Sequence, residues 1–162
     1  MTTIGILTAS TKGALGQRED TSGDTIAQMV SEPPLAAVVT ARQVVPDERA
    51  AIESVLRHWS DDLHLNLILT TGGTGLSPTD ITPEATLAVV ERLVPGLCEA
   101  MRMQTAQTTP LAILSRAVAG CRNRSLIVNL PGNPKGAREC LDIIIPVLPH
   151  AIDILTTQVT EH

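Results

Sequence analysis

Apolar residues along this chain come in short runs that alternate with segments of helical periodicity. Residues 3–9 form a compact apolar run that predicts a first strand, followed by a polar, glycine-containing stretch over 10–23. Residues 24–30 predict a helix closed by Glu32-Pro33-Pro34, because proline cannot continue it. Residues 35–45 are β-branched and predict a second strand. Pro46-Asp47-Glu48 then opens a helix on which Ile52, Val55, Leu56 and Trp59 recur at helical spacing through Asp62. Residues 65–70 predict a third strand. Thr82-Pro83-Glu84 starts another helix, with proline in its first turn, running to Leu93. Further on, 97–107 reads as helix, 111–121 as extended and hairpin-like, 125–130 as strand, and two last helices flank Pro146.

Strands alternating with helices predict an α/β fold, one domain over 1–162, with a mainly parallel sheet covered on both faces. Ligands in such folds sit beyond the carboxyl ends of the strands. Every polar or glycine-rich motif of interest falls at that edge.

Composition narrows the function. The chain has one Trp, no Phe and no Tyr, so its core is aliphatic, and base-stacking platforms cannot be assembled. Twelve Lys and Arg against seventeen Asp and Glu give a net charge of -5, which argues against nucleic acid as a partner. It does not argue against a local phosphate site built from backbone amides. Cys98, Cys121 and Cys140 lack metal or disulfide spacing and read as reduced, buried residues. His58, His64, His150 and His162 are unclustered and read as structural or solvated. No leader is readable at the N-terminus, and the longest apolar stretch, 143–148, is cut by Pro146 and far too short to span a bilayer. The expectation is a soluble, cytoplasmic protein with no membrane partner.

Four motifs at strand-to-helix connections carry candidate chemistry. The first is Thr70-Thr71-Gly72-Gly73-Thr74-Gly75, where three glycines allow close backbone approach to an anion and three threonines add hydroxyls. It has neither the P-loop lysine nor dinucleotide spacing, and a purely structural turn is the competing reading. Asp80 follows, before the helix opened by Pro83. It is either a carboxylate suited to Mg²⁺ beside a phosphate turn or a helix cap, and Thr82 is the better placed cap. Asp47, at the end of the second strand, has the same two readings. The last turn is Asn129-Leu130-Pro131-Gly132-Asn133-Pro134-Lys135-Gly136, with Lys135 offering charge to phosphate. Ser115-Arg116 could add a hydroxyl and a guanidinium. The helix start at Glu19-Asp20-Thr21-Ser22-Gly23 is a further anion candidate.

Taken together, TTGGTG, Ser77-Pro78-Thr79-Asp80, Thr82-Pro83-Glu84-Ala85-Thr86, Leu114-Ser115-Arg116, Asn129-Leu130-Pro131-Gly132 and Pro149-His150-Ala151 closely resemble the signature of the molybdenum-cofactor biosynthesis family. Pro46-Asp47-Glu48 and the segment Glu19 to Gly23 extend the likeness over nearly the whole chain. The resemblance, which includes the G domains of gephyrin and the plant fusion enzymes, implies a three-layer αβα sandwich. It implies transfer of AMP from ATP to the terminal phosphate of molybdopterin, with release of pyrophosphate. Asp47 and Asp80 match the family carboxylates associated with Mg²⁺ and catalysis. The stretch from Thr70 to Gly75 matches the nucleotide-phosphate turn, and Ser115, Asn129, Pro131, Gly132, Asn133 and Lys135 match other ligand-facing positions. A homotrimer is implied, a hexamer in one bacterial branch, and a molybdenum-insertion enzyme downstream. The chain departs from the pattern at Ser10-Thr11-Lys12, where the family usually has Ser-Asp. A non-catalytic molybdopterin carrier or scaffold of the same fold is the competing function, and retention of both Asp47 and Asp80 favours catalysis.

Overall fold

The computed structural model describes residues 1–157; His162 lies outside them. Six strands form one sheet in the order β2-β1-β3-β6-β5-β4. Strands β1 (Thr3–Ala9), β2 (Val38–Val45), β3 (Leu67–Thr71) and β6 (Ser125–Leu130) run parallel. Strands β5 (Ala119–Arg122) and β4 (Arg92–Leu93) add an antiparallel edge.

Helices cover both faces because the central strands are apolar in both directions. One face puts Ile4, Ile6, Leu67, Leu69, Leu126 and Val128 against α2 (Thr21–Ser31), α5 (Pro95–Thr105), α6 (Pro134–Ile144) and α7 (Leu148–Thr156). The other puts Leu7, Ile68 and Ile127 against α3 (Arg49–Arg57), the π-helical turn His58–Asp62 and α4 (Thr82–Val89). The expected three-layer α/β architecture is what the chain adopts. Trp59 packs close enough on β1 that a Cβ on Gly5 would lie 2.5 Å from its ring.

Several element boundaries differ from expectation, the third strand, α2 and α5 by two or three residues at one end or both, and three others for a visible reason. The second strand starts at Val38, because Ala36 takes a positive φ of 43° and turns the chain after the prolines. Helix α4 ends at Val89 rather than Leu93, since Arg92 and Leu93 pair with Cys121 and Gly120 at the sheet edge. The stretch expected to be extended from 111 begins as the 3-10 turn Pro110–Leu114 before entering β5. The polar segment 10–23 also holds a four-residue helix, α1 (Thr11–Ala14), and the start of α2.

Two crevices follow from the connectivity. After β1 and β6 the chain passes to helices on the first face, whereas after β3 it passes to α4 on the second. The loop leaving β3 therefore diverges from both of its neighbours, and ligand crevices form where such connections part.

Candidate functional site

The TTGGTG turn leaves β3 between these crevices. Gly72 and Gly73 line the first, a cavity of about 240 Å³ that also takes Asp47, Asp80 and Gly132. Thr74 and Gly75 line the second, of about 450 Å³, which runs to Ser115, Pro131, Asn133 and Lys135. One six-residue turn thus borders both. Its glycines are required by shape: Gly72 and Gly73 have φ of 96° and 69°, and a Cβ on Gly72 would overlap the carbonyl oxygen of Ala9. The turn after β6 presses on it closely, with a Cβ on Gly132 falling 3.1 Å from Gly72 Cα.

Asp47 and Asp80 both face the first crevice, and neither caps a helix. Helix α3 has Glu48 at its N-cap and α4 has Ile81, and neither start receives a side-chain cap. Asp47 instead pairs with Thr11. The Thr11 amide and hydroxyl each donate to Asp47 Oδ2 at 3.2 Å, and the Asp47 amide donates to Thr11 Oγ1 at 3.1 Å. Asp80 Oδ2 accepts from the Ser77 amide at 3.0 Å, which folds the Ser77–Asp80 loop onto itself. Thr82, expected to be the cap, is the first residue of α4 and its wholly buried hydroxyl has no protein partner.

The remaining predicted site residues divide by where their side chains are spent. Thr70 and Asn129 are wholly buried, and Asn129 Nδ2 donates to both Thr70 Oγ1 and Thr86 Oγ1 at 2.9 Å while its Oδ1 accepts from the Val118 amide. Thr71 Oγ1 donates to the Pro131 carbonyl at 2.6 Å. These three side chains lock the turns together from beneath, while Thr71 also lines the first crevice and Asn129 the second. Asn133 Oδ1 caps α6 by accepting from the amides of Lys135 and Gly136. Lys135 stands exposed at the rim of the second crevice, near Glu139. Ser115 Oγ accepts from the Ala117 amide at 3.3 Å.

Arg116 is not a free guanidinium. It donates to the Gly75 carbonyl, the Asp80 carbonyl and both oxygens of Glu84, so it staples the loop that carries Asp80. The start of α2 is likewise internally occupied: Asp20 caps Gly23 and is held by Thr8 and Arg42. Sequence reasoning missed Thr11, Thr8 and Arg42 as organisers of this edge. The signal available was position alone, since Thr8 and Thr11 flank the end of β1.

The second crevice has an apolar wall that includes Cys98, Met101 and Leu114. Burial pushes the Cys98 thiol up to about 11 and raises Cys140 as well, so both stay protonated and unreactive near neutral pH. All three cysteines are free and buried, as expected. Among the described residues no three His, Cys, Asp or Glu side chains converge as a metal cage. Asp47 and Asp80 on one small crevice nevertheless suit Mg²⁺, which takes one or two carboxylates and completes its shell with phosphate and water. No helix among the described residues is long and apolar enough to cross a membrane.

Comparison with known proteins gives a consistent pattern. The family model described as a probable molybdopterin binding domain matches residues 5–150. The molybdopterin adenylyltransferase of Helicobacter pylori strain J99 is 45% identical over 152 residues, 94% of this chain and 86% of its own length. That of Escherichia coli K12 is 38% identical over 139 residues, 86% of this chain and 71% of its own. A crystal structure of the molybdopterin biosynthesis enzyme MoaB from Thermus thermophilus superposes with a TM-score of 0.91 at 52% identity, covering 96% of this chain and 97% of that one.

Proposed function

This chain belongs to the probable molybdopterin binding domain family of molybdenum-cofactor biosynthesis, and on that footing we propose that it transfers AMP from ATP to the terminal phosphate of molybdopterin, releasing pyrophosphate. The observation that carries this reading is the turn Gly72–Gly75 bordering two crevices at once. A reaction joining two phosphates needs its two substrates to meet at one point. Here ATP phosphates occupy the smaller, carboxylate-bearing crevice, and the pterin occupies the larger one with its apolar wall. The terminal phosphate of molybdopterin then approaches across Thr74 and Gly75.

The chemistry requires little of the side chains. A phosphate monoester oxygen is already anionic at neutral pH, so no Ser, His or Cys needs activation. That oxygen forms a bond to the α-phosphorus of ATP as the bond from that phosphorus to the bridging oxygen of pyrophosphate breaks. Catalysis therefore rests on alignment and on neutralising charge at the α-phosphate. Backbone amides of the glycine turn approach the phosphates, and Asp47 and Asp80 would hold Mg²⁺. When bound, that ion supplies positive charge to the transferring and leaving oxygens. Lys135 at the rim attracts the anionic pterin phosphate.

The reading extends to a cytoplasmic homotrimer, with a hexamer as the other assembly. Met103, Leu111 and Ile113 are all more than 60% exposed, and an apolar surface of this kind is what subunit contact covers. The product, an adenylylated pterin, is passed to a molybdenum-insertion enzyme. Substituting Asp80→Asn tests the site assignment: adenylyl transfer should be almost abolished while molybdopterin still binds. Near wild-type turnover at saturating Mg²⁺ would leave Asp80 a loop-folding residue only.

A further inference from the structure

Arg102 and Arg122 are held alike and differ in one respect. Arg122 donates Nη1 to the Val89 carbonyl at 2.9 Å. Its Nε and Nη2, the parallel N–H groups along one edge of the guanidinium, meet the two oxygens of Asp61 at 2.9 and 2.8 Å. Arg102 likewise donates Nη1 to backbone carbonyls, those of Ala117 at 2.8 Å and Ser115 at 3.3 Å. Its Nε and Nη2 have no protein partner, however, and it forms no ion pair among the described residues. Arg102 is partly buried and stands with Cys98 and Met101 in the apolar wall of the larger crevice. A guanidinium without a counter-ion is costly to keep in such a place. Glu139, the one carboxylate lining that crevice, is paired with Lys135 at 3.9 Å instead.

The anchor points place this guanidinium. Ser115 and Ala117 flank Arg116, whose amide donates to the Thr74 carbonyl at 2.8 Å. Arg102 is therefore tied to the segment that lies against the glycine turn bordering both crevices. Its two carbonyl bonds fix the plane of the guanidinium, and a fixed planar fork matches two oxygens of a phosphate. We propose that Arg102 holds the terminal phosphate of the acceptor pterin, its Nε–Nη2 edge donating to two of the phosphate oxygens beside Thr74 and Gly75. The third oxygen is then left to face the α-phosphorus across the glycine turn. Lys135, 83% exposed at the rim, supplies attraction, whereas the anchored Arg102 supplies orientation. This inference rests on the proposed binding of molybdopterin in the larger crevice.

The test compares wild type, Arg102→Met and Arg102→Lys in the full chain. Calorimetry reads the affinity for molybdopterin and for its dephosphorylated form, steady-state rates give KM for molybdopterin and for ATP, and thermal melts report folding. Wild type should bind the phosphorylated form at least about tenfold more tightly. In Arg102→Met that preference should shrink to about twofold or less, through lost affinity for the phosphorylated form alone. KM for molybdopterin should rise about tenfold while KM for ATP stays within about twofold. Arg102→Lys keeps a charge but no parallel pair of donors, so it should recover only part of the preference. It also carries the test if the methionine variant is too unstable to measure. If both substitutions weaken the two pterin forms equally, Arg102 merely supports residues 115–117 and the phosphate assignment is wrong, while the proposed reaction stands. If the preference depends on Arg102 yet no AMP reaches the pterin, the phosphate site stands and the proposed reaction fails instead.

Discussion

Arg116 and Glu84 form a bidentate ion pair across 32 residues, with Nη1 2.9 Å from each carboxylate oxygen. The same guanidinium donates to the Asp80 carbonyl at 2.6 Å and to the Gly75 carbonyl at 2.8 Å. One side chain therefore fixes the glycine turn and the loop bearing Asp80 to the first turn of α4.

Replacing Arg116 should consequently cost more activity than stability. The pair with Glu84 is over a third exposed on both sides, so screening discounts it, and Arg116→Met should lower stability by only about 1–2 kcal/mol. Adenylyl transfer should fall by about tenfold or more as Asp80 loses its fixed place. Thermal melts and steady-state rates at matched folded fraction separate these effects. Equal, small losses in both would reduce Arg116 to a surface staple.

Asp47 and Asp80 reach the same crevice from different loops, and the proposed shared Mg²⁺ would make them a unit. Asp47→Ala and Asp80→Asn should each remove most of the rate of pyrophosphate release, and the double variant should be little worse than either. Rate losses that simply multiply would mean that the carboxylates act independently.

The glycine turn can be probed by contrast. Gly73→Ala forces a side chain into a left-handed backbone, costing about 1–2 kcal/mol before the collision with Thr82 Oγ1 is counted. Gly96, in α5, has nothing within 4 Å of its would-be Cβ, and Gly96→Ala should be neutral or stabilise by about 0.5–1 kcal/mol. Urea titrations of the two variants check the pair, and equal destabilisation would contradict the shape argument.

Away from the site, Arg122 donates Nε and Nη2 to the two oxygens of Asp61 at 2.9 and 2.8 Å. That hydrogen bonding holds the Asp61 carboxyl below its ordinary value. A folded-state pKa below the unfolded one adds stability above the usual carboxylate range, which is lost as pH falls through the folded value. Asp61→Asn should therefore melt below wild type at pH 7, and the two should converge as the pH drops below about 4. A constant gap down to pH 2 would show that the ion pair is not its source.

Strands β1 and β6 were legible to the residue, since each is a bounded apolar run. The edge formed by β4 and β5 was not. Two residues, Arg92 and Leu93, look like the end of a helix until tertiary pairing claims them. At the site, Asp47, Asp80 and the glycines were legible because strand ends in an α/β sheet are where ligands sit. Thr70 and Asn129 match ligand-facing positions by resemblance, and Asn129 lines the second crevice, but their pairing with each other was not legible. They are direct register partners on β3 and β6, both buried on two faces, so they must satisfy each other. The contact of Thr11 with Asp47 could not be found from sequence, since a threonine that holds another residue has no motif of its own.

The reaction itself is tested most directly by following the α-phosphate of ATP. The purified chain is incubated with Mg²⁺, ATP labelled at the α-phosphate, and molybdopterin, and both products are measured together. The label should appear in an adenylylated pterin, with one pyrophosphate released per molecule formed and none released when molybdopterin is omitted. Molybdopterin that binds tightly while the label stays in ATP would contradict transfer and identify the chain as a non-catalytic carrier of the same fold.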